Sequence, residues 1–276
     1  MEISASDVMK LRKETDAPMM DCKKALVEAG GDFDKAKAIL RESGAAQAAK
    51  RADRTTSEGI AKFVVSEDGK TAAGVIVECE TDFVSGNSDF KQLVNDIVNG
   101  FLAAGEASND VEVNGTTVGQ MISDAVGKIR ENIQISKMEI IKSADGSLAA
   151  YNHHDGKKAS LVEYKGGSAD AATQVAIQVV AFSPEFLKKE DVPADVIAQE
   201  METEVNRAMK EGKPKEVAEN IARGRVNKQY FQERVLLEQM FYADGKVSVN
   251  QYLKDNVGGE ISGYTHYVVG QSGKSE

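Results

Sequence analysis

Two parts of this chain of 276 residues repeat the same order of a strand, a tight turn, a strand and a helix. In each part an Asp-Gly pair, Asp68-Gly69 or Asp155-Gly156, lies between short apolar, β-branched segments, which is the sequence of a β-hairpin. A set of four residues also recurs at identical spacing: Val118, Ile122, Val126 and Gly127 match Val249, Leu253, Val257 and Gly258. The repeat predicts an α+β protein with a duplicated core of antiparallel sheets.

Each copy yields its own set of predicted elements. In the first copy, strands are expected at residues 59–66 and 73–80, helices at 87–104 and 117–129, and a last strand at 133–141. In the second copy, strands are expected at 147–153 and 159–164, helices at 169–182 and around 249–253, and a strand around 264–269. Period-two alternation in the strands and three- or four-residue apolar spacing in the helices support the two copies independently.

Residues 184–243 form an insertion within the second copy. Two amphipathic segments on either side of Gly212-Lys213-Pro214 predict an antiparallel helical hairpin, a coiled coil. Its return leg carries five large apolar or aromatic residues: Tyr230, Phe231, Leu236, Phe241 and Tyr242. That surface must pack on the core, on a second copy of the chain in a homodimer, or on a partner, and the sequence leaves these open. A plain buried helix pair is the alternative.

The N-terminal residues predict a small three-helix unit. Ser6 is expected to cap the first helix, residues 19–29 form the second, and Asp32 caps a third that stops at Gly44. Residues 45–56 are Ala-rich and polar without apolar periodicity, so we interpret them as a linker. The predicted domains are residues 1–54, residues 55–145, residues 146–183 with 244–276, and the insertion 184–243.

Composition and charge exclude several classes of protein. The net charge of −10 argues against a general nucleic-acid binder, which needs a basic face. Residues 1–54 carry 11 Lys and Arg against 10 Asp and Glu, a net charge of about +1, so the rest of the chain carries about −11. No run is long and apolar enough for a membrane span, and no secretory signal is visible. Two distant cysteines, Cys22 and Cys79, fit a reducing cytoplasm.

The sequence offers no convincing catalytic or metal-binding set. The histidines are His153, His154 and His266, without the spacing of zinc ligands. Cys79 lies in an apolar strand with no flanking cation, so a packed thiol is favoured over a nucleophile. The glycine pairs Gly30-Gly31 and Gly166-Gly167 lack the lysine of a phosphate-binding loop. We therefore expect a protein with no active site, no metal and no cofactor.

The most informative single segment is the end of the strand that leads to Phe83. The apolar run ends abruptly at Glu80-Thr81-Asp82, and Phe83 follows where the chain enters a Ser/Gly/Asn-rich segment. Phe83 is therefore expected at a strand-to-helix corner, presented outward by a rigid element. Burial of the ring in a local core is the alternative, because most phenylalanines are buried.

Three separated motifs resemble the elongation factor Ts family, the nucleotide exchange factors of elongation factor Tu. The first is Thr81-Asp82-Phe83-Val84, and the second is the segment of residues 19–26. The third is the pair of segments 212–219 and 236–239, which resemble the insertion of the long form. The sequence departs from the family pattern at four positions without touching Asp82 or Phe83: Glu78, Ser85, Arg130 and Met240.

The resemblance implies a guanine nucleotide exchange factor in which Asp82 and Phe83 enter the GTPase domain of elongation factor Tu near its phosphate and Mg²⁺ site. Thr81 and Val84 would hold the corner. The three-helix unit, because it is so small, resembles a ubiquitin-associated-type domain. The family resemblance assigns secondary contacts with the GTPase to five further residues: Met19, Met20, Lys23, Lys24 and His153. From the residues alone, a role of Met19 and Met20 in the core of the small unit stays open. An adaptor and an unrecognised small-molecule enzyme are the competing functions.

Overall fold

Two three-stranded antiparallel sheets organise the computed structural model, which describes residues 3–256 and 259–271. The first sheet has the order β1-β2-β5, with β1 (Glu58–Val65), β2 (Thr71–Cys79) and β5 (Gln134–Lys142). The second has the order β6-β7-β8, with β6 (Ser147–Asn152), β7 (Lys158–Lys165) and β8 (Glu260–Val268). Gly69 and Gly156 take positive φ in the two hairpin turns, as the Asp-Gly pairs predict. The α+β class with antiparallel sheets is confirmed.

A long helix packs on each sheet at an equivalent place in the repeat. In the first half these elements are α4 (Asp82–Ser85), α5 (Ser88–Ala104), a short hairpin of β3 (Glu112–Val113) and β4 (Thr116–Thr117), and α6 (Val118–Ile129). In the second half they are α7 (Ala169–Phe182) and α11 (Val249–Asn256). Side chains of Asn87, Thr117 and Ser168 cap α5, α6 and α7. Val257 and Gly258, two members of the repeated set, lie outside the described residues.

The two halves meet through β1 and the second sheet. The rings of Phe63 and Tyr267 lie 4.2 Å apart between centroids, in a cluster of buried residues from both sheets. The side chain of Asn152 accepts from the Phe63 backbone N–H at 2.8 Å and donates to its carbonyl oxygen at 2.9 Å. Ala61 N–H donates to the Gly156 carbonyl oxygen at 2.8 Å. These contacts fix the second hairpin turn beside the first sheet.

The N-terminal head has the three expected helices, with different boundaries. They are α1 (Ala5–Thr15), α2 (Met19–Glu28) and α3 (Phe33–Arg51). Ser4, not Ser6, caps α1, because its hydroxyl and the Asp7 carboxylate form a reciprocal capping box. The linker prediction for residues 45–56 is wrong up to Arg51, since α3 continues through Gly44. The lack of a side chain at Gly44 lets α3 cross α6 at close range, and this contact stabilises the extra turns.

The insertion contains two helices joined by a short turn. They are α8 (Ala194–Lys210) and α9 (Lys215–Arg225), followed by a π-helical turn, Val226–Phe231, and by α10 (Gln232–Arg234). Arg225 pairs with Glu204 at 3.2 Å and with Glu211 at 2.8 Å, which ties α9 to α8 and to the turn. The regular α-helix of the second segment ends at Arg225, and Tyr230 lies in the π-helical turn. The wider π turn allows the neighbouring Tyr230 and Phe231 both to be buried.

The return leg of the insertion belongs to the core of the second half. Leu236 and Phe241 are buried in the same cluster as residues of α7 and α11. The buried Gln178 amide of α7 donates to the Gln239 side chain at 3.1 Å and accepts from Tyr242 N–H at 2.8 Å. Of the five residues of this surface, Leu236 and Phe241 pack on the core, Tyr230 and Phe231 are buried in a cluster within the insertion itself, and Tyr242 stays 38% exposed. No helix in the described ranges is long and apolar enough to cross a membrane.

Candidate functional site

Phe83 lies on a short exposed helix at the end of β2. The backbone of Thr81 is extended, and α4 begins at Asp82 directly after it. The Phe83 side chain is 86% exposed, which excludes the alternative that it fills a local core. Val84, on the same turn, packs against the core of the first half. The corner therefore turns one face to the protein and presents Asp82 and Phe83 to solvent.

Several hydrogen bonds fix the backbone of this corner. The Cys79 thiol donates to the Thr81 carbonyl oxygen at 3.3 Å, and Gly86 N–H donates to the Asp82 carbonyl oxygen at 2.8 Å. The Glu131 carboxylate accepts from Thr81 N–H at 3.1 Å and from the Thr81 hydroxyl at 2.7 Å. Sequence reasoning missed Glu131, because it lies 50 residues along the chain in no recognised motif. An exposed aromatic ring on a fixed backbone has little conformational entropy to lose on binding.

Cys79 helps to fix the backbone of the corner and is not a nucleophile. It is fully buried, as the apolar strand predicts. Burial, with smaller effects from the carboxylates of Glu131 and Glu58, raises the pKa of Cys79 to about 12. The thiol is therefore protonated at neutral pH and acts as a small apolar group that donates one hydrogen bond.

A groove of about 460 Å³ separates the corner from the second hairpin turn. Asp82, Ser85 and Gly86 line one side, and His153 and His154 line the other. The structure thus brings together Asp82 and His153, which are 71 positions apart in the sequence.

The ring of His153 is held in place by its neighbours. The Tyr151 hydroxyl lies 3.0 Å from His153 Nδ1, and the His154 ring centroid is 4.3 Å from that of His153. Asp155 Oδ2 lies 3.9 Å from His153 Nε2. The third histidine, His266, is in β8 and does not line this groove. The two neighbouring rings therefore give the second hairpin turn a defined polar and aromatic surface.

The N-terminal head exposes the residues that sequence reasoning singled out on α2. Met19 is 47% exposed and Met20 61%, and Lys23 and Lys24 are also exposed. Their alternative role in the core of the head is excluded for the two methionines. The core of the head consists of Val8, Leu11, Cys22, Ala25, Leu26 and Ala36. Met9 and Val27 are exposed as well and were not predicted. The head therefore carries an apolar surface with lysines beside it.

Salt bridges attach this surface to the first half of the core. Arg130, directly after α6, pairs with Asp21 of α2 at 2.7 Å. Lys128 of α6 lies 3.2 Å from both Asp16, at the end of α1, and Asp89, at the start of α5. Exposed pairs of this kind add little stability, but they define the orientation of α2 on the core.

In the described part of the chain, no group of three or more His, Cys, Asp or Glu side chains is arranged to hold a metal ion. The site that the structure does offer is a projecting aromatic ring, a carboxylate beside it, and a groove with two histidines. Such a surface suits contact with a protein better than chemistry on a small molecule.

Comparison with known proteins decides the family. Residues 80–271 match the family model described as Elongation factor TS, and the match begins at the corner itself. The chain belongs to the elongation factor Ts family. Proteins named elongation factor Ts are similar to it over nearly their whole length. The one from Deinococcus deserti is 43% identical, over 90% of this chain and 94% of its own.

Two further members of the elongation factor Ts family extend the comparison. The protein from a Hydrogenobaculum species is 39% identical over 98% of this chain and 100% of its own. The protein from Aquifex aeolicus is 38% identical over 93% of each chain. These alignments span the head and the insertion as well as the region matched by the family model. The resemblance inferred from the three short motifs is confirmed, and it places the protein among translation elongation factors.

Proposed function

We propose that this protein is the guanine nucleotide exchange factor of elongation factor Tu, and that Phe83 is its principal contact. The observation that carries the proposal is the 86% exposure of Phe83 on a backbone fixed by hydrogen bonds. A large apolar ring held in water is unfavourable in the free protein, and burying it in a partner gains about 2–3 kcal/mol. Membership of the elongation factor Ts family supports the identity of the partner.

In this proposal, Asp82 and Phe83 enter the GTPase domain next to its phosphate and Mg²⁺ site. Mg²⁺ is held by few protein ligands together with the nucleotide phosphates, so a small displacement of those ligands weakens it strongly. The exchange factor binds nucleotide-free elongation factor Tu more tightly than the GDP form. By linkage, GDP then weakens the complex by the same factor as the complex weakens GDP. Thr81 and Val84 hold the corner, and the exchange factor makes or breaks no covalent bond.

The secondary contacts in the proposal come from two other surfaces. Met19 and Met20 form a soft apolar patch, and Lys23 and Lys24 beside it favour a partner with acidic residues. His153, across the groove from Asp82, makes a third contact. We expect these contacts to set affinity, and the corner to set the rate of nucleotide release.

We also propose the architecture that accompanies this function. The head of residues 1–54 is a ubiquitin-associated-type unit, residues 55–145 and residues 146–183 with 244–276 are the two core subdomains, and residues 184–243 are a helical hairpin domain of coiled-coil type. The protein works in the cytoplasm without a cofactor of its own and without contacting nucleic acid or membrane. A homodimer through the hairpin would use the exposed Met209 and Val217 near its tip.

The test is release of a fluorescent GDP analogue from elongation factor Tu mixed with increasing amounts of this protein. Accelerated release supports exchange. Binding without release supports an adaptor, and absence of both overturns the proposed partner. A matched control is Phe182→Ala, because Phe182 is also exposed but lies at the end of α7, away from the corner. The control is expected to keep full activity.

A further inference from the structure

Four hydrogen bonds join the turn of residues 130–132 to the corner. The Glu131 carboxylate accepts from both backbone N–H groups that follow β2, those of Glu80 and Thr81, each at 3.1 Å, and from the Thr81 hydroxyl. In return, the Glu80 carboxylate accepts from Asn132 N–H at 2.6 Å. Each segment thus donates backbone N–H groups to a carboxylate of the other, in the manner of a capping box.

The bonds to Glu131 satisfy the first backbone N–H groups beyond the end of the sheet. The last residue of β2 paired with β1 is Cys79, and the last paired with β5 is Glu78. The N–H groups of Glu80 and Thr81 therefore lie beyond both ladders, and a carboxylate is the strongest acceptor a side chain can offer them. The direction in which the chain leaves the sheet, and with it the direction of Phe83, depends on Glu131.

The same turn also contacts the N-terminal head and the segment that follows α3. Asn132 is buried, and its side-chain amide donates to the Arg54 carbonyl oxygen at 2.8 Å. Arg130 adopts a left-handed backbone conformation, with φ of 68°, and its guanidinium reaches Asp21 of α2. Three consecutive residues thus bond to the corner, to the end of the head and to its exposed helix.

We propose that Glu131 is a positioning residue for nucleotide exchange: it fixes the orientation of Asp82 and Phe83 and does not itself contact the partner. This inference rests on the proposed function. Loss of the carboxylate leaves Phe83 on the surface but frees the chain between Cys79 and α4. The partner then has to order this segment on binding, which reduces the fraction of complexes that reach the nucleotide-releasing state.

The first measurement is the maximal rate of GDP release by Glu131→Ala at saturating concentration. We expect this rate to fall about tenfold, because three charge-assisted hydrogen bonds to the corner are lost. The concentration for half-maximal release should change less than about threefold, since the methionine, lysine and His153 contacts are untouched. Glu131→Gln keeps one oxygen acceptor and should lose only about threefold in maximal rate. Glu131→Gln also replaces Glu131→Ala in this measurement if the Ala variant is unfolded at the assay temperature.

The second measurement is a double-mutant cycle with Phe83→Ala. If Glu131 acts only through the corner, its loss slows the Phe83→Ala variant by much less than it slows the unchanged protein, because only Asp82 is left to orient, whereas independent effects multiply. Glu163→Ala is the matched control: its carboxylate accepts from the Ser143 hydroxyl at 2.5 Å in the second half, and its loss should leave the maximal rate unchanged. A folded Glu131→Ala with a normal maximal rate, or with multiplicative effects, overturns the inference. A normal rate for Phe83→Ala would instead overturn the proposed function.

Discussion

Gly44 and Gly127 face each other where α3 crosses α6. A Cβ atom on Gly127 would lie 3.2 Å from the Gly44 Cα, and one on Gly44 would lie 3.3 Å from the Ser123 carbonyl oxygen. The two helices therefore approach backbone to backbone, and Ala48 of α3 reaches the core of the first half. The N-terminal head is docked on the core by this crossing and by the Arg130–Asp21 pair.

Gly127→Ala should loosen the docking of the head on the core. The added methyl group requires the helices to move apart by a few tenths of an ångström, at a cost of about 1–3 kcal/mol that is partly offset by a helix-propensity gain of up to about 1 kcal/mol. We expect weaker binding to elongation factor Tu, a normal maximal rate of GDP release, and faster proteolysis around residues 45–54. Gly224→Ala in α9 is the control, because its Cβ meets nothing within 4 Å. Equal behaviour of the two variants would contradict the docking role of the glycine pair.

The crossing of α3 and α6 also shows which features of the fold could not be predicted from the sequence. Local signals predicted the hairpins, the cap at Asp32 and the bounds of α7, because Asp-Gly turns and side-chain caps act within a few residues. Gly44 has the local features of a helix end, yet α3 continues because a tertiary contact 83 positions away stabilises it. The π turn at residues 226–231 likewise depends on burial in a cluster that no local pattern defines.

Phe83→Ala should reduce exchange strongly and leave the fold intact. If the ring is buried only in the complex, its loss costs about 2–3 kcal/mol, or about 30- to 150-fold in exchange efficiency. The melting temperature should stay within about a degree, because the ring is 86% exposed in the free protein. Stopped-flow release of labelled GDP and thermal denaturation measure the two quantities. An early-melting variant with normal exchange would be incompatible with the proposed contact.

Lys23→Glu should weaken binding in a salt-dependent manner. The exposed charge lies beside Met19 and Met20, and its reversal changes an attraction to an acidic partner into a repulsion. The loss of affinity should be largest at low ionic strength, because salt screens exposed charges beyond about 10 Å at 0.1 M. Lys246→Glu, an exposed lysine in the second half, serves as the control. A loss independent of salt would show that Lys23 acts through packing.

Stability should fall as the pH drops below about 6.5, partly through His266. Burial, with a smaller effect of Lys158, lowers the pKa of His266 to about 4, and its Nε2 has no hydrogen-bond partner among the described residues. Between the unfolded and folded pKa values the unfolded chain binds a proton that the native state does not. The contribution of neutral His266 to the free energy of unfolding is therefore fully present above pH 6.5. It falls by up to about 3 kcal/mol as the pH drops towards 4. Urea denaturation of His266→Phe across this range should give a flatter dependence.

Only part of the candidate site could be predicted from the sequence. The corner that carries Phe83 follows from an apolar strand that ends in polar residues, which is a local signal, whereas burial of the ring stayed open until the family resemblance favoured exposure. The contribution of Glu131 could not be predicted from the sequence, because a carboxylate in an irregular segment has no pattern that reveals its bonds to Thr81. The approach of His153 to the groove depends on the pairing of the two halves through Phe63 and Asn152, which is tertiary structure alone.

The insertion should tolerate shortening at its tip but not complete removal. Leu236 and Phe241 are buried in the second core, and each such side chain contributes about 2–5 kcal/mol when lost. Replacing residues 184–243 by a Gly/Ser link removes both, which approaches the whole stability of an ordinary domain. We therefore expect the second half to unfold in that variant.

Replacing only residues 206–219 is the informative experiment. It leaves the cluster around Val192 and Val235 and the Arg225–Glu204 pair, and removes the tip with Met209 and Val217. The corner lies in the first half, so the maximal rate of GDP release should remain near that of the unchanged protein. Light scattering then reports the role of the tip: a halved mass identifies it as a contact between two copies. Loss of exchange in a well-folded variant would instead mean that the tip itself drives nucleotide release.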